Sequence, residues 1–592
     1  MNRFSIHPLA FPRRKRSALV LLFLAMSLAL SAQHRSENAA EEIARQFLFS
    51  HDKRSHTLSR AVLTPQQAQQ LESLSAAEGR SALPEGAFRM PQEGQPFYIF
   101  NDEAKGAFVV VSGDRRMRDV LGWSSEGVFG EGELSQGLVD LLHLYARQWA
   151  DIENMEEAAP YRQGLPSWGG KEVKPLLSTQ WGQGAPFNAK CPSEGRGTRP
   201  PAGCVATAMA QILKYYDYPA RGAGSHSFVS NSRGYECSFN YAAVSFDWEN
   251  MLDSYEAGSY SNTHADAVSQ LMYACGVSVD MNYDFSGSGA YSDDVPYALG
   301  HFFKCNPYVS RYLRDYLPEE EFDSLLCNEL ENRRPILFCG ARNDSTGHAY
   351  IIDGVDANHL YHFNWGWSGS RDGYYALDAQ YPYSNMHYDY YHEAICRISP
   401  DTIGTLEQIF YADTFQVDCQ AIARFDTLRA DISTIVCANS NLTHIDSSLH
   451  WEGLFGVGLY DENGRFVLWA DTPDELQTNY SELYYCWYMI GFPIDICIPG
   501  TRWSLKPCAL PAGETTPVPM HTYHTLNDSI PIFIGRDSIY TGSRAEQMTG
   551  IRSLQKEENM KQTEGDFDLQ GRPLREASQG IVVEKGKKVF RK

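Results

Sequence analysis

Two kinds of hydrophobic pattern alternate in the first part of the chain. The runs "QPFYIFN" and "GAFVVVSGD" are short and apolar, as in buried strands. In "GLVDLLHLYARQWADIE" the apolar residues return every three or four positions, which is the spacing of one helix face. The members of that face are Leu138, Leu141, Leu142, Tyr145 and Trp149. With the helical opening "AAEEIARQFLF", these patterns predict a compact α+β unit from Glu37 to about Ala150.

A second helical pattern begins at Cys204, directly after a glycine. Apolar residues recur at helical spacing, alanines fill the positions between them, and Pro219 ends the segment. The recurring positions are Val205, Met209, Ile212 and Tyr216. We expect a helix that is packed deep in a core, with Cys204 at its N-terminal end.

Three later runs, "PILFCG", "HAYIIDGVD" and "HLYHFNW", are separated by Gly, Asn and Asp and predict an antiparallel meander. After Pro400 the chain changes to short alternating runs, with a hairpin signal at Asn463-Gly464. The whole pattern predicts an α+β protein whose last part is β-rich and sandwich-like.

The N-terminus has the order of a cleaved signal peptide. Arg13, Arg14, Lys15 and Arg16 precede the apolar run 18–30, which small residues follow. The run is shorter than the about 20 residues that a membrane span requires. We therefore expect an exported protein, secreted or at the cell surface, with no membrane span in the mature chain.

Charge and cysteine content narrow the possible functions. A formal net charge of -22 argues against nucleic-acid binding, which needs clustered Lys and Arg. The chain has 13 cysteines, and an odd number leaves at least one thiol unpaired in an oxidising compartment.

Cys204 is a candidate nucleophile. At a helix start, free backbone N–H groups and the helix dipole favour an anion, so the pKa of a thiol falls there. Gly203 lacks a Cβ and would let a substrate backbone approach the sulfur. Position alone leaves open a buried filler or a disulfide partner, because both are common for cysteine.

A cysteine nucleophile needs a base and a group that orients it. His348 opens the second strand of the meander and Asn364 ends the third, where adjacent strands can bring the two together. His359 and His362 are rivals for the base, although exposed or core histidines explain both. An oxyanion hole needs a donor besides the backbone N–H of Cys204, and Gln183 lies upstream of that cysteine.

Metal chemistry has no support in the sequence. There is no HExxH motif, and "HEAIC" lacks the second histidine. We expect neither a catalytic metal nor a cofactor.

Taken together, "WGQGAPFN", "GCVATAMAQILKYYDYP", "GHAYIIDGVD" and "YHFNWGWSGSRDGYYALD" resemble the streptopain family of papain-clan cysteine peptidases. The order Cys, His, Asn along the chain is also papain-like. The segments "FYIFNDEAKGAFVVVSGD" and "VLGWSSEGVF" resemble the inhibitory prodomain of that family. The end of the chain, from "FDLQGRPL" on, resembles the sorting tails of type IX secretion cargo, and a hairpin that closes a β-sandwich explains it equally well.

The resemblance implies a role for each matching residue. Cys204 attacks the peptide carbonyl, His348 moves the proton, and Gln183 completes the oxyanion hole. Trp365 supports the site and Asn364 orients the imidazole. Ser288 and Gly347 match positions that contact substrate in the family. Trp367 lies between Gly366 and Gly369 and suits one side of a substrate cleft, although it could also be a simple core aromatic.

The expected organisation is a signal peptide at 1–32, an inhibitory prodomain at 33–165 and a papain-like catalytic domain at 166–400, then a β-rich domain at 401–545 and a linker with a sorting-like tail at 546–592. The function expected is that of a secreted endopeptidase zymogen with protein or peptide substrates, activated by cleavage in the linker Glu157–Lys174. Two alternatives remain: a catalytically silent adhesion or binding protein on the same scaffold, and a transglutaminase or amidase that uses the same thiol chemistry.

Overall fold

The chain folds into two compact units. The computed structural model describes residues 33–76, 95–154, 171–194, 197–342, 347–379, 390–405, 409–437, 451–478, 486–493, 496–523, 528–549, 567–568, 580–584 and 587–591. The first unit contains the described residues up to Val309 together with Glu319–Ile403, and the second contains Ser310–Pro318 and the residues from Gly404 on.

One antiparallel sheet runs through the first unit, in the order β1-β2-β3-β4-β11-β10-β9-β8-β12. Its strands are β1 (Ser59–Arg60), β2 (Phe97–Asp102), β3 (Ala107–Ser112), β4 (Val120–Ser124), β8 (Ile336–Arg342), β9 (Gly347–Val355), β10 (Tyr361–Asn364), β11 (Gly373–Tyr375) and β12 (Tyr390–Cys396). Strands β2 and β3 are buried along their whole length, which is why the sequence shows continuous apolar runs there.

The sheet is continuous between the N-terminal segment and the meander. Strand β4 pairs with β11, with Trp123 opposite Tyr374 and Gly122 opposite Tyr375. The rings of Trp123 and Tyr374 stack at 5.1 Å, and a Cβ at Gly122 would lie 2.4 Å from Tyr375 Cδ1. Only a glycine permits this close approach of the two strands.

Helices cover this sheet. They are α1 (Glu37–Asp52), α2 (Pro65–Ala76), α3 (Gln136–Asn154), α4 (Cys204–Tyr216), α5 (Asn262–Ser278), α6 (Asp294–His301) and α7 (Glu319–Glu331). A two-stranded hairpin, β5 (His226–Val229) and β6 (Glu236–Phe239), lies outside the sheet. Side-chain caps start several helices: Ser36 begins α1, and Ser261 forms a capping box with His264 at α5.

Helix α4 is the centre of the core. Every residue from Val205 to Leu213 is buried, as the apolar period predicts. The helix packs against α5 and β9, so one end of it faces the meander. Because α4 is buried, it is a rigid support for its first residue, Cys204.

The second unit is a β-sandwich. One sheet has the order β19-β15-β13-β22 and the other has β14-β24-β23-β20-β16-β17, with β18 and β21 at its sides. A core drawn from both sheets includes Phe410, Ile432, Phe455 and Ile532. The strands of this unit are β7 (Ser310–Leu313), β13 (Phe410–Val417), β14 (Ala421–Ala423), β15 (Leu428–Cys437), β16 (Trp451–Tyr460), β17 (Phe466–Trp469), β18 (Asp474–Thr478), β19 (Cys486–Ile490), β20 (Arg502–Pro511), β21 (Val518–Pro519), β22 (His521–Thr522), β23 (Ile530–Ile534) and β24 (Ser538–Thr541), followed by α8 (Gly542–Thr549).

The α+β class with a β-rich C-terminal region is therefore confirmed. The hairpin predicted at Asn463-Gly464 joins β16 to β17, and Gly464 has a φ of 74°. At the end of the chain, β25 (Phe567–Asp568), β26 (Gly580–Glu584) and β27 (Lys587–Arg591) form a small antiparallel sheet.

Some predictions fall outside the described residues. These are the signal peptide at 1–32, most of the linker Glu157–Lys174 and residues 550–566 of the predicted linker and tail at 546–592. Among the helices that the described ranges contain, none has both the length and the apolar character needed to cross a bilayer.

Candidate active site

The site is built around the first residue of α4. Gly203 precedes it with a φ of 93°, a conformation that favours glycine, and it provides no side-chain cap. A Cβ at Gly203 would lie 2.5 Å from Met281 Sδ. Backbone conformation and packing therefore both require a glycine at this position.

Cys204 is half-buried and its environment favours the thiolate. Burial alone would raise the pKa of the thiol, but a hydrogen bond to His348 and the charge of that imidazole outweigh this effect. The backbone N–H groups of Ala349 and Val205 also donate to the sulfur. The net result is a pKa of Cys204 below that of an ordinary thiol.

His348 is buried near the start of β9, opposite Gly340 of β8. Its Nε2 lies 3.0 Å from the carbonyl oxygen of Trp365, to which it donates when protonated. Burial would lower the pKa of His348, but Cys204, the Trp365 carbonyl and Asp140 raise it. The opposite shifts of the two pKa values are those of a thiolate paired with an imidazolium.

Asn364 does not contact the imidazole, so the expectation that it orients His348 is wrong. Its Oδ1 accepts from Gln211 Nε2 at 3.0 Å and from Gly366 N at 3.1 Å, while its Nδ2 donates to the carbonyl of Thr179 at 2.8 Å. The strand register explains the difference, because Asn364 lies opposite Ile351 rather than His348. The next residue along the chain provides the orienting oxygen.

Trp365 provides that oxygen from a fixed position. Its backbone N–H donates to Asp372 Oδ1 at 2.9 Å, and its ring Nε1 donates to the carbonyl of Arg371 at 3.0 Å. The indole is fully buried and lies 4.9 Å from the ring of Tyr350. Burial raises the pKa of Asp372 to about 7, against the N–H of Trp365 and the charge of His362, which lower it.

Gln211 is a positioning residue that the sequence analysis missed. It is fully buried in the middle of α4, and its Oε1 accepts from Trp181 N at 3.2 Å while its Nε2 donates to Asn364. It thereby connects the helix of the nucleophile with the segment before Gln183 and with the end of β10. A lone glutamine in an otherwise apolar helix, "MAQIL", was the available signal.

Gln183 is held close to the nucleophile by the backbone. Its carbonyl accepts from Ala202 N at 2.8 Å, two residues before Cys204. Gln183 is half-buried, and within the described part of the chain its side-chain amide makes no hydrogen bond. The amide is thus available as a donor.

The three expected substrate contacts lie around the same centre. The carbonyl of Ser288 would be 3.3 Å from a Cβ at Gly203, so Ser288 lies beside the nucleophile. Gly347 is exposed and immediately precedes His348 at the start of β9. Trp367 is half-buried in the turn that follows Trp365.

His359 and His362, the rival bases, lie elsewhere. The ring of His362 contacts Asp353 Oδ1 at 2.6 Å, and that of His359 contacts Asp323 Oδ1 at 2.9 Å.

The N-terminal segment contacts this site directly. Helix α3 is capped by the Ser135 hydroxyl, which accepts from Leu138 N, and its second residue, Gly137, lies against the catalytic groups. A Cβ at Gly137 would be 2.7 Å from Trp365 Cε3 and 2.9 Å from His348 Cδ2. The start of α3 is thus packed on the imidazole and the indole, with no room for a side chain.

Arg371 fixes the loop that leads into α3. Its buried guanidinium donates to the carbonyl oxygens of Val128, Glu131 and Glu133, with the bond to Val128 at 2.9 Å. Its own backbone N–H donates to the carbonyl of Glu126 at 2.7 Å. One side chain therefore binds most of a loop through its main-chain oxygens alone.

Comparison with known proteins agrees with this geometry. Residues 181–375 match the Peptidase C10 family, and residues 32–149 match the family described as Spi protease inhibitor. Streptopain from Streptococcus pyogenes is 34% identical over 311 residues, which cover 49% of this chain and 75% of streptopain. The thiol protease/hemagglutinin PrtT of Porphyromonas gingivalis is 30% identical over 303 residues, or 48% of this chain and 34% of PrtT.

Among solved structures, a prointerpain A fragment from Prevotella intermedia is similar, with a TM-score of 0.45 and 30% identity over 53% of this chain and 98% of that one. The resemblance to the streptopain family and its prodomain is confirmed by the family matches and by the extent of the streptopain match, whereas the sorting-like tail stays a prediction. The chain belongs to the streptopain family of cysteine peptidases and carries an inhibitor-like prodomain before its catalytic part.

Proposed function

We propose that this protein is an exported cysteine endopeptidase, made as a zymogen, in which Cys204 is the nucleophile and His348 the proton carrier. The observation that supports the proposal most strongly is the pairing of Cys204 with His348 at the start of a buried helix, with a lowered pKa for the thiol and a raised pKa for the imidazole.

The chemistry follows from that pair. The Cys204 thiolate attacks the peptide carbonyl carbon, and the carbonyl electron pair moves to the oxygen. The backbone N–H of Cys204 and the amide of Gln183 stabilise this oxyanion. His348 then gives its proton to the leaving nitrogen as the C–N bond breaks, which leaves a thioester.

Water completes the cycle. His348, now neutral, takes a proton from a water molecule whose oxygen attacks the thioester, and the C–S bond breaks to release the acid. The Trp365 carbonyl keeps Nε2 engaged throughout, so Nδ1 of the imidazole remains directed at the sulfur and the substrate. Ser288, Gly347 and Trp367 are the proposed substrate contacts beside this centre.

Latency follows from the contacts of α3. In the intact chain Gly137 lies on the His348 ring, and the paired strands β4 and β11 and the Arg371 bonds hold the prodomain in place. We assign residues 33–165 to this prodomain, 166–400 to the peptidase and 401–545 to a separate β-rich domain. Cleavage within Glu157–Lys174 is the proposed first step of activation.

Hydrolysis of casein by the purified full-length chain, before and after linker cleavage, tests the proposal. We expect little activity before cleavage, full activity once the prodomain is removed, and none in Cys204→Ala. Cys305→Ser is the matched control, because Cys305 is a buried thiol whose pKa burial raises to about 12. Full activity of the uncut chain would contradict latency, and hydrolysis by Cys204→Ala would contradict the nucleophile.

A further inference from the structure

A second cluster of reactive groups lies in the first unit, between α7 and the turn before β10. Asp323 and Cys327 are four residues apart on α7 and therefore share one helix face. His359 and Tyr361 approach that face from the turn and from the start of β10. All but Asp323 are buried, and Asp323 is 20% exposed.

The donor atoms of the four side chains converge on one point. His359 Nε2 lies 2.9 Å from Asp323 Oδ1, 3.1 Å from the Tyr361 hydroxyl and 3.8 Å from Cys327 Sγ. The Tyr361 hydroxyl is also 3.3 Å from that sulfur and 2.5 Å from Asp323 Oδ1. Ligand atoms bound tetrahedrally to Zn²⁺ are separated by about 3.3–3.7 Å, given bonds of about 2.0–2.3 Å. The distances from Cys327 Sγ to His359 Nε2 and to the Tyr361 hydroxyl are close to these values, and the oxygen and nitrogen atoms of the cluster would move apart slightly on binding an ion.

His359 Nε2 can satisfy only one of its three neighbours with a good hydrogen bond. An imidazole nitrogen carries either one N–H or one lone pair, and therefore makes one good hydrogen bond. Three atoms nevertheless surround Nε2 of His359. A cation that binds the lone pair of Nε2 would interact favourably with all of its neighbours at once.

The chemistry of the donor atoms points the same way. Sulfur and imidazole together suit a borderline-soft divalent cation such as Zn²⁺ rather than Mg²⁺ or Ca²⁺.

We infer that Cys327, His359 and Asp323 bind a Zn²⁺-class divalent cation, with the Tyr361 hydroxyl at the fourth position. The site lies at the end of the β9–β10 hairpin opposite to His348 and Trp365, since His348 is near the start of β9 and Trp365 follows the end of β10. Its role is structural: the metal ties α7 to the hairpin that carries the catalytic histidine. Arg118 of the prodomain donates to the carbonyl of Asn358 in the same turn, at 2.7 Å.

The sequence analysis found no metal motif because the ligands come from two separate elements. Asp323 and Cys327 lie on α7, whereas His359 belongs to a turn in which it adopts a φ of 59°. No regular spacing along the chain reports such a site.

Cobalt substitution tests the inference with a readout that does not depend on peptidase activity. The full-length Cys204→Ala chain, which lacks the catalytic thiol, is stripped of metal and titrated with Co²⁺. We expect one ion per chain and a near-ultraviolet sulfur-to-cobalt charge-transfer band. Absence of that band in this parent chain would overturn the inference, whatever the behaviour of further variants.

Two variants then locate the site. Cys327→Ser should abolish the band, and His359→Gln should weaken Co²⁺ affinity at least about tenfold. Cys305→Ser, which removes another buried thiol, should leave the charge-transfer band and the Co²⁺ affinity unchanged. A band that persists in Cys327→Ser, or that is lost in Cys305→Ser, would contradict the assignment.

Discussion

Single side chains at the Cys204 site act mainly by fixing the backbone around the imidazole. The oxygen that orients His348 belongs to the main chain of Trp365, and Asn364, Gln211 and Asp372 hold the two peptide groups that flank this residue. The site is therefore stabilised by buried amides and a buried carboxyl that do not touch the reacting atoms.

Replacing Gln211 by methionine should destabilise the catalytic unit. Met has a similar shape but leaves Trp181 N without its partner and removes one of the two donors to Asn364 Oδ1, which costs about 1–3 kcal/mol. Urea unfolding measures the loss, and the processed variant should show a lower kcat with a smaller change in KM. Gln46→Met, at an exposed position of α1, is the control for unfolding of the full-length chain and should stay within about 0.5 kcal/mol. An equal effect of both changes on unfolding would contradict the assigned role.

Asp372 should make the stability of the unit depend on pH. Its pKa rises from 3.8 to about 7 on folding, mainly through burial. The folded state therefore binds the proton more tightly, and the contribution of Asp372 to stability decreases as the pH rises from about 4 to about 7. The upper limit of this loss is about 4 kcal/mol, at 1.36 kcal/mol per pKa unit.

Asp372→Asn retains the oxygen that accepts from Trp365 N and removes the titration. The variant should gain stability relative to the unsubstituted chain as the pH rises through that window, as measured by urea unfolding at several pH values. If the difference in unfolding free energy between the variant and the unsubstituted chain stayed constant from about pH 4 to about pH 7, Asp372 would not titrate in this way.

Helices and strands were more predictable than the contacts between them. The apolar period predicted α4 from Val205 to Tyr216, and the short apolar runs predicted β8, β9 and β10, because each pattern reports burial of its own element. The role of Asn364 was not predictable, since it depends on the register of β10 against β9 and on the turn after it. The packing of Gly137 on His348 joins residues far apart in the chain, and no local pattern reports it.

Replacing Gly137 by alanine should weaken latency. The added methyl group would lie within 3 Å of both His348 and Trp365, and overpacking of this kind costs about 1–3 kcal/mol. A thiol-directed epoxide should therefore label Cys204 in the uncut chain about tenfold faster or more. Gly106→Ala is the control, because no atom lies within 4 Å of its Cβ position, although its φ of 61° also strains the backbone. Equal labelling rates in the two variants would mean that α3 does not block the site through Gly137.

For the molecule as a whole, the prodomain and the peptidase share one continuous sheet in the first unit, so cutting the linker leaves them joined. Pairing of β4 with β11 and the bonds of Arg371 to the loop 126–133 remain after the cut. Activation thus requires dissociation or digestion of the prodomain as well as cleavage of one peptide bond.

Arg371→Met should convert the cut chain from a stable complex into separated pieces. Each hydrogen bond to a charged group contributes about 1.5–3 kcal/mol, so the loss of several should weaken prodomain binding by about a hundredfold or more. Gel filtration after linker cleavage measures the change. Arg221→Met is the control, because among the described residues the exposed guanidinium of Arg221 bonds to Ser245 alone. Co-elution of the two pieces in the Arg371 variant would contradict the proposed anchor.

The rate of Cys204 alkylation as a function of pH, in the processed protein and in its His348→Asn variant, tests the central claim most directly. The account predicts rapid alkylation at neutral pH in the parent, with a midpoint below that of an ordinary thiol, and a midpoint displaced to higher pH in the variant. Identical profiles in the two proteins would show that the imidazole does not hold the thiolate, and would contradict the assigned catalytic pair.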